Sequence, residues 1–433
     1  MCAFIALQGP SFAQDASEYS AEELRSTQRQ LFDQMFSDPD NLKIMFEYAL
    51  VSIKLQDYER AISTLERMLI YRQDLSRVRL ELAVAYFNLG SYEVAQLYFD
   101  QVLADPELPD DVRTRIGRYT DEISRRTSRN TLSLVANVGL TYATNANLGP
   151  LDNNVIIGGT PGFILDPDSQ SQPDSGIRYL IYGTHAYDLE RSNVDAYETD
   201  FSAFGLVYGD VKSGNTFFGR VRTGPRLSLT DEQFGAQVRP YVEGNYLNAD
   251  DRTVYFGGFG GLEYASSLSR RWATYADISA GVLDFEKDRN EEDRVSFRFL
   301  GGGAFIPSRD LVGRAAAIFE YEKANADYNS SIVIGARLST EYLYDSGVEL
   351  IDRKWSVSAY LDGRYRWYDS ADPFIDPNTV RNEFDLRGGI SHLFAIRDGF
   401  GLVLDVEGFL RDSNIQNFDL NNLSVTLSLQ YRL

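Results

Sequence analysis

Few residues of this chain have the chemistry of a nucleophile or a metal ligand. The 433 residues include one cysteine, Cys2, and two histidines, His185 and His392, which are far apart in the sequence. Metal sites and nucleophilic triads need several such side chains at characteristic spacings. The sequence therefore predicts no catalytic residue, no metal site and no cofactor, and we expect both histidines to have structural or surface positions.

Arginines and carboxylates are the second candidate for chemistry, because they recur at alternate positions in the C-terminal part of the chain. Paired carboxylates can act as general acids and bases. A lattice of opposite charges also stabilises the hydrated interior of a β-barrel. We favour this structural interpretation, since no nucleophile motif accompanies the carboxylates. The predicted lattice consists of Arg220, Arg222, Arg226, Arg239, Arg298, Arg364, Arg366 and Arg387 with Glu243, Asp277, Glu320, Glu322, Asp362, Asp385, Asp405 and Glu407.

The elements that would position these charges are long strands with an apolar period of two. Between Thr131 and Leu433 we find fourteen such segments and no convincing helix. Their length suits the roughly 9–11 residues with which a tilted strand crosses a bilayer, and an even strand number is the rule for single-chain bacterial barrels. The sequence thus predicts a 14-stranded antiparallel transmembrane β-barrel over residues 131–433. The strands begin near Thr131, Gly176, Glu198, Asn215, Phe234, Asp251, Arg271, Asp293, Leu311, Ser330, Lys354, Arg381, Phe400 and Asp419.

Connection lengths give the barrel an orientation. The long connections, which we expect to face outward, are Asn145–Ser175, Asp369–Val380 and Arg411–Phe418. The short ones, which we expect to face the periplasm, are Thr230–Gln233, Ser266–Ser269, Pro307–Asp310 and Ile396–Gly399. Long loops on one side and short turns on the other are typical of outer-membrane barrels.

Residues 20–128 have a helical period instead and contain a repeat of 34 residues. Small residues recur at Ala49 and Ala83 and at Ala61 and Ala95, and the large apolar Leu65 is matched by Phe99. A 34-residue helix–turn–helix repeat is typical of tetratricopeptide units. We therefore predict a tetratricopeptide (TPR) domain of two units, preceded by a helix over Ala21–Phe36 and followed by a capping helix that starts at Pro109, so that the whole chain is an α + β multidomain protein.

The repeat register also predicts a concave surface for a partner. Such grooves commonly bind extended peptides or partner proteins. The alternative is that this face packs on a flanking helix or on the barrel. The predicted groove consists of Lys43, Phe46, Leu50, Ile53 and Lys54 in the first unit and Arg77, Leu80, Val84, Phe87 and Asn88 in the second.

The two ends of the chain indicate where in the cell the protein is located, and its net charge indicates which partners it can bind. Residues 1–13 have a short apolar core and a small-x-small pattern at Ser11–Ala13, which predicts a truncated signal peptide and export. The last strand alternates up to Tyr431 and Leu433, the pattern that the barrel assembly machinery reads. A net charge of -21 opposes binding to nucleic acid. We expect an outer-membrane location, with outer-membrane lipids around the barrel and the helices in the periplasm.

Two segments resemble the surface lipoprotein assembly modifier (Slam) family. The first is Val78–Gly90, continued by Tyr92, Ala95, Phe99 and Val102–Asp105 and by the helix from Pro109 to Ile123. The second is the turn Tyr142–Gly149, in which Ala143 and Thr144 replace the family's usual Asp-Ser pair. The resemblance implies a periplasmic tetratricopeptide domain that receives a client lipoprotein, or a related secreted protein, and a fourteen-stranded barrel that gives it a route to the surface. The alternatives are an exopolysaccharide export porin, a general outer-membrane pore and, more remotely, a soluble β-protein.

Overall fold

The structure is a computed structural model that describes residues 21–106, 108–190, 195–230, 235–250, 252–348 and 353–433. The predicted signal peptide, residues 1–13, lies outside these ranges. The chain divides after Ser128 into two compact units, a helical one and a β-sheet one.

The helical unit contains six helices between Ala21 and Thr127. They are α1 (Ala21–Ser37), α2 (Leu42–Lys54), α3 (Tyr58–Tyr71), α4 (Ser76–Leu89), α5 (Tyr92–Leu103) and α6 (Asp110–Thr127). Helices α2 and α4 begin 34 residues apart, and so do α3 and α5, as the repeat register predicts. No helix in the part of the chain that the structure describes is long and apolar enough to cross a lipid bilayer.

The repeated small and large residues form the core of two successive helical hairpins. Ala49, Ala61 and Leu65 of the first hairpin are fully buried, and so are their equivalents in the second. Alanines on facing helices allow a close approach, and the larger side chains fill the space between the helices. Gly90 ends α4 in the left-handed region, with a φ of 86°, where glycine is favoured.

Helix α6 covers the second hairpin. It has Asp110 and Asp111 in its first turn and Arg125 and Arg126 in its last, which suits the helix dipole. Its Ile116 and Ile123 are buried in the same apolar cluster as the second hairpin. The predicted capping helix is therefore present.

The second unit is a closed antiparallel barrel with a small separate hairpin. Fourteen strands close it in the order β1, β16, β15 and onward down to β4, while β2 and β3 pair only with each other. The strands are β1 (Asn130–Ala143), β2 (Asn154–Ile157), β3 (Thr160–Ile164), β4 (Asp174–Asp188), β5 (Ala196–Tyr208), β6 (Thr216–Ser228), β7 (Gln237–Ala249), β8 (Arg252–Ser267), β9 (Trp272–Phe285), β10 (Arg294–Ser308), β11 (Leu311–Ala324), β12 (Ser331–Asp345), β13 (Lys354–Tyr368), β14 (Asn382–Arg397), β15 (Phe400–Ser413) and β16 (Leu420–Arg432).

The barrel confirms the predicted strands, each of which begins within three residues of its expected start. Because successive side chains of a strand point to opposite faces, polar side chains line the lumen and apolar side chains face outward. On β7, Arg239, Tyr241 and Glu243 are buried on the lumen side, whereas Val242 between them is 63% exposed on the outer side. An apolar outer face with a polar interior is the arrangement of an outer-membrane barrel, and the chain is an outer-membrane protein of this kind.

The two ends of the barrel differ as predicted. We call the end with connections 144–173, 369–381 and 414–419 the loop edge, and the end with connections 268–271, 309–310 and 398–399 the turn edge. Strand β1 starts at the turn edge and β16 ends there. Short turns face the periplasm in outer-membrane barrels, so we expect the turn edge to be the periplasmic one.

Candidate functional site

One part of the lumen wall is organised around Arg222. Its guanidinium donates to Glu243 at 2.7 Å, to Glu263 at 2.5 Å and to Asp277 at 2.7 Å. It also lies 3.9 Å from the centre of the Tyr241 ring. The residues come from β6, β7, β8 and β9, so one cation joins four consecutive strands on the lumen side.

Arg239 extends the same network toward β5. Its Nη1 lies 2.6 Å from Asp200 Oδ2 and 3.3 Å from Glu263 Oε2. Arg226 donates to Glu198 at 2.8 Å. Glu198, Asp200 and Glu263 were not in the predicted lattice, although their alternate positions on β5 and β8 place them on the lumen side.

A second network lies on β10 to β15. Arg364 donates to Glu320 at 3.1 Å and to Asp362 at 2.8 Å. Glu322 accepts from both Arg366 and Arg294, and Arg411 binds Asp385 at 2.6 Å. Glu320, Glu322, Asp362 and Asp385 are therefore held by arginines. Arg294, Arg411 and Arg337, which binds Asp362 at 2.7 Å, were not predicted.

Some predicted members of the lattice are placed differently. Asp405 pairs with Arg178, and Glu407 accepts from the Tyr360 hydroxyl at 2.5 Å. Within the described residues Arg298 and Arg387 contact aromatic rings, 3.9 Å from Phe259 and 4.3 Å from Phe409, rather than carboxylates. For Arg220 no ion pair occurs there either.

The two histidines lie on barrel strands. The His185 ring is 3.0 Å from Asn130 Oδ1. The His392 ring hydrogen-bonds the Tyr344 hydroxyl at 2.5 Å and packs against Trp355 and Phe394. Among the described residues no group of three or more histidines, cysteines or carboxylates is arranged to hold a metal ion. The lumen charges form paired networks across neighbouring strands, an arrangement that stabilises a polar barrel interior.

At the loop edge the β2–β3 hairpin joins two other loops. Gly158 and Gly159 donate backbone hydrogen bonds to Phe374 and Ile375 in connection 369–381. Asn417 of connection 414–419 binds both backbone groups of Ile156, at 2.7 and 2.8 Å. This hairpin was not predicted; residues 145–175 were expected to form a loop.

Asn145 anchors the start of that connection. Its side chain is fully buried. Its Nδ2 donates to the carbonyls of Gly149 and Asn421 at 2.8 and 2.9 Å, and its Oδ1 accepts from the Gly149 amide at 2.9 Å. The turn singled out in the sequence therefore ties the end of β1 to the start of β16.

The predicted groove residues of the helical unit divide into exposed and buried ones. Lys43, Lys54, Arg77 and Asn88 are exposed, and Phe46, Leu50, Ile53 and Val84 are half-buried. Leu80 and Phe87 are only 7% exposed and belong to the core of the second hairpin. The Phe87 ring lies 5.0 Å from that of Tyr119 in α6, so the flanking helix covers this part of the face. Partner binding by the exposed residues stays a prediction.

Arg77 is one of the exposed residues of the predicted groove. Its guanidinium lies 5.1 Å from the centre of the Phe46 ring, between the two hairpins. Nearby on α4, burial raises the pKa of the Glu81 carboxyl, while Arg115 and Arg77 partly oppose the increase. The face therefore combines apolar surface with mainly basic groups.

The chain has detectable sequence similarity to a known protein. No family model matches the sequence. The chain is 25% identical over 221 residues to a "Surface lipoprotein assembly modifier" of Pasteurella multocida (strain Pm70), a match that covers 50% of this chain and 41% of that protein. The chain thus spans less than half the length of this curated relative.

Solved structures give remote similarities. A bacterial polysaccharide outer membrane secretin has a TM-score of 0.37 at 11% identity, over 69% of this chain and 98% of that one. The outer membrane channel DcaP of Acinetobacter baumannii has a TM-score of 0.39 at 9% identity, over 70% and 97%. The curated relative confirms the resemblance predicted from the sequence: this outer-membrane chain, with a helical unit followed by a closed barrel of fourteen strands, is similar to a surface lipoprotein assembly modifier.

Proposed function

We propose that the chain is an outer-membrane translocation factor that delivers lipoproteins, or related secreted proteins, to the cell surface. The observation that carries the proposal is the order of its two units, a helical unit with a 34-residue repeat followed by a closed barrel. The similarity to a surface lipoprotein assembly modifier supports this choice among the functions of helix-plus-barrel proteins.

In this proposal the helical unit is a tetratricopeptide domain that lies in the periplasm. The unit directly precedes β1, which starts at the turn edge. Lys43, Lys54, Arg77 and Asn88 are exposed on equivalent helices of the two hairpins. Solenoid repeats use such extended faces to bind other chains, so this face would receive the client.

The barrel would provide the route across the membrane. Its lumen wall is held by ion pairs that span neighbouring strands, which leaves the wall stiff and hydrated. At the loop edge the β2–β3 hairpin is tied to connections 369–381 and 414–419. These hydrogen bonds would hold the connections together at the outward end of the barrel, where a client would leave.

Site-specific photocrosslinking tests the receiving surface. A photoreactive residue at Lys54 or Asn88 of the full chain, expressed in its own host, is expected to capture a lipoprotein or secreted protein in transit. The matched control is Arg60, which is exposed on α3. Equal capture of the same client from Arg60 would argue against a specific groove.

The alternatives have different outcomes. Loss of a secreted polysaccharide on gene deletion, with surface lipoproteins unchanged, would favour an exopolysaccharide export porin. Conductance in a planar bilayer without preference for any solute would favour a general pore.

A further inference from the structure

The lipid-facing wall of the barrel has a groove that the proposed function does not use. Its volume is about 690 Å³, and it crosses β9 to β13. The floor is made of small residues and the sides of large ones. The floor is Gly303, Gly313 and Ala315, and the sides are Trp272 and Phe305 on one flank and Leu338 and Leu361 on the other.

The groove starts at the periplasmic interface and runs into the hydrocarbon region. Trp272 is the first residue of β9 and pairs in register with Phe305 near the turn edge. Their ring centres are 4.5 Å apart, and both side chains point outward. Trp at this level marks the boundary between headgroups and acyl chains. On the other flank Leu338 is 55% exposed and lies further from the turn edge.

Three arginines lie on the turns at the mouth of the groove. Arg270 and Arg271 belong to connection 268–271 and Arg309 to connection 309–310, and all three are exposed. The Arg271 carbonyl accepts a hydrogen bond from the Ile306 amide at 2.8 Å, which holds the two turns side by side.

Their charge is not compensated locally. The one acidic group of connection 309–310, Asp310, is paired with Lys354. Within the described ranges, none of the three arginines forms an ion pair. An apolar groove thus opens beneath a cluster of free guanidinium groups.

We propose that this groove binds one anionic glycerophospholipid of the periplasmic leaflet, with its acyl chains against Gly313 and Ala315 and its phosphate against Arg270, Arg271 and Arg309. Guanidinium groups bind phosphate through paired, charge-assisted hydrogen bonds. A concave floor between bulky flanks offers an acyl chain contacts on three sides instead of one. The site is independent of the proposed translocation function.

Native mass spectrometry of the full chain in detergent tests the site. The protein is mixed with phosphatidylglycerol or with phosphatidylcholine of the same acyl chains, and the bound lipid is counted. We expect one phosphatidylglycerol to be retained at least about tenfold more than phosphatidylcholine, because only phosphatidylglycerol has a net negative charge; the choline cation of phosphatidylcholine neutralises its phosphate. Equal retention of the two lipids would overturn the proposal.

A groove-filling variant tests the position. In Gly313→Leu the added Cβ meets no heavy atom within 4 Å, so the wall need not move. The control Gly258→Leu introduces the same side chain at an equally open, lipid-facing glycine on β8. We expect Gly313→Leu to lose most of the retained phosphatidylglycerol and Gly258→Leu to keep it. Equal retention by the two variants would contradict the site.

An arginine variant tests the headgroup contacts without changing the barrel wall. The triple change Arg270→Gln, Arg271→Gln and Arg309→Gln is expected to abolish the preference for phosphatidylglycerol. The control Arg397→Gln removes an exposed arginine from the turn edge, where it lies over Phe400. An unchanged preference in the triple variant, or the same loss in the control, would overturn the proposal. A diacylated cysteine peptide, which has no phosphate, provides a competition test. If it displaces phosphatidylglycerol equally well from the wild type and from the triple variant, the groove binds acyl chains alone, and this result would also overturn the proposal.

Discussion

The guanidinium of Arg239 lies 2.6 Å from the Asp200 carboxylate, and the arginine side chain is only 1% exposed. The same group approaches Glu198 and Glu263 at 3.4 and 3.3 Å. Glu198 and Glu263 also pair with Arg226 and Arg222, whereas Asp200 has its ion pair with Arg239, so removal of Arg239 would leave the Asp200 carboxylate without a cation.

We expect Arg239→Met to destabilise the barrel by about 3–5 kcal/mol, the cost of breaking a buried ion pair from one side. Urea unfolding followed by heat-modifiable gel mobility measures the change. Arg220→Met is the matched control, because within the described residues Arg220 has no ion pair to lose. Equal unfolding midpoints for the two variants would show that the network does not stabilise the wall.

A charged side chain on the outer face of the barrel wall should destabilise the protein in a bilayer. Val242 is in the middle of β7 and is 63% exposed toward lipid. We expect Val242→Arg to lower the unfolding free energy in lipid vesicles by about 2–4 kcal/mol, the cost of an arginine near the bilayer midplane. Val242→Leu should leave it nearly unchanged. Equal stability of the arginine and leucine variants would place Val242 outside the hydrocarbon region.

Asn145 should hold the β1–β4 connection in its folded conformation. Asn145→Ala removes three hydrogen bonds and leaves the backbone groups of Gly149 and Asn421 without these partners. Each unpaired buried group costs about 1–3 kcal/mol. Limited proteolysis should therefore cut connection 144–173 several-fold faster, while the barrel keeps its gel mobility. Thr144→Ala is a milder control at the adjacent position, and equal cleavage of the two variants would argue against the anchor.

The pH dependence of the helical unit should follow Glu81. Burial raises the pKa of this carboxyl above its ordinary value, so the folded state holds the proton more tightly than the unfolded state. Stability then falls as the pH rises from the ordinary glutamate pKa through the raised one. We expect Glu81→Gln to raise the Tm of the helical signal at 222 nm at pH 7, measured on the full chain.

Glu47 provides the control for that measurement. It is the equivalent residue of the first hairpin and is exposed. Glu47→Gln should change the Tm little. A lower Tm for Glu81→Gln at pH 7 would mean that Arg77 and Arg115 stabilise the carboxylate more than burial penalises it.

The periodic features were predictable because they depend on local sequence. The start of β11 at Leu311 and that of β15 at Phe400 were predicted to the residue. The β2–β3 hairpin was not, because its strands have only four and five residues and are held by contacts to distant residues such as Asn417. Short apolar runs between turn residues do not reveal such partners.

The sequence predicted many of the residues of the charged network that face the lumen, but not which residues each of them contacts. Strand parity places Arg222 and Glu243 on the lumen side, but the register between strands decides that Arg222 also reaches Asp277, three strands away. In the helical unit, the repeat could not indicate that α6 packs on Phe87, because α6 lies outside the repeated segment. Local patterns therefore predicted the faces, and tertiary packing decided the partners.

The proposed delivery of lipoproteins to the cell surface can be tested by their exposure to protease on intact cells. Intact cells of the wild type, of the gene deletion, and of the deletion complemented with either the full chain or residues 129–433 alone, both exported with the same added signal peptide, are treated with external protease. We expect at least one lipoprotein to become protected in the deletion strain, the full chain to restore its cleavage, and the barrel alone not to restore it. Unchanged cleavage of every surface lipoprotein in the deletion strain would contradict the account.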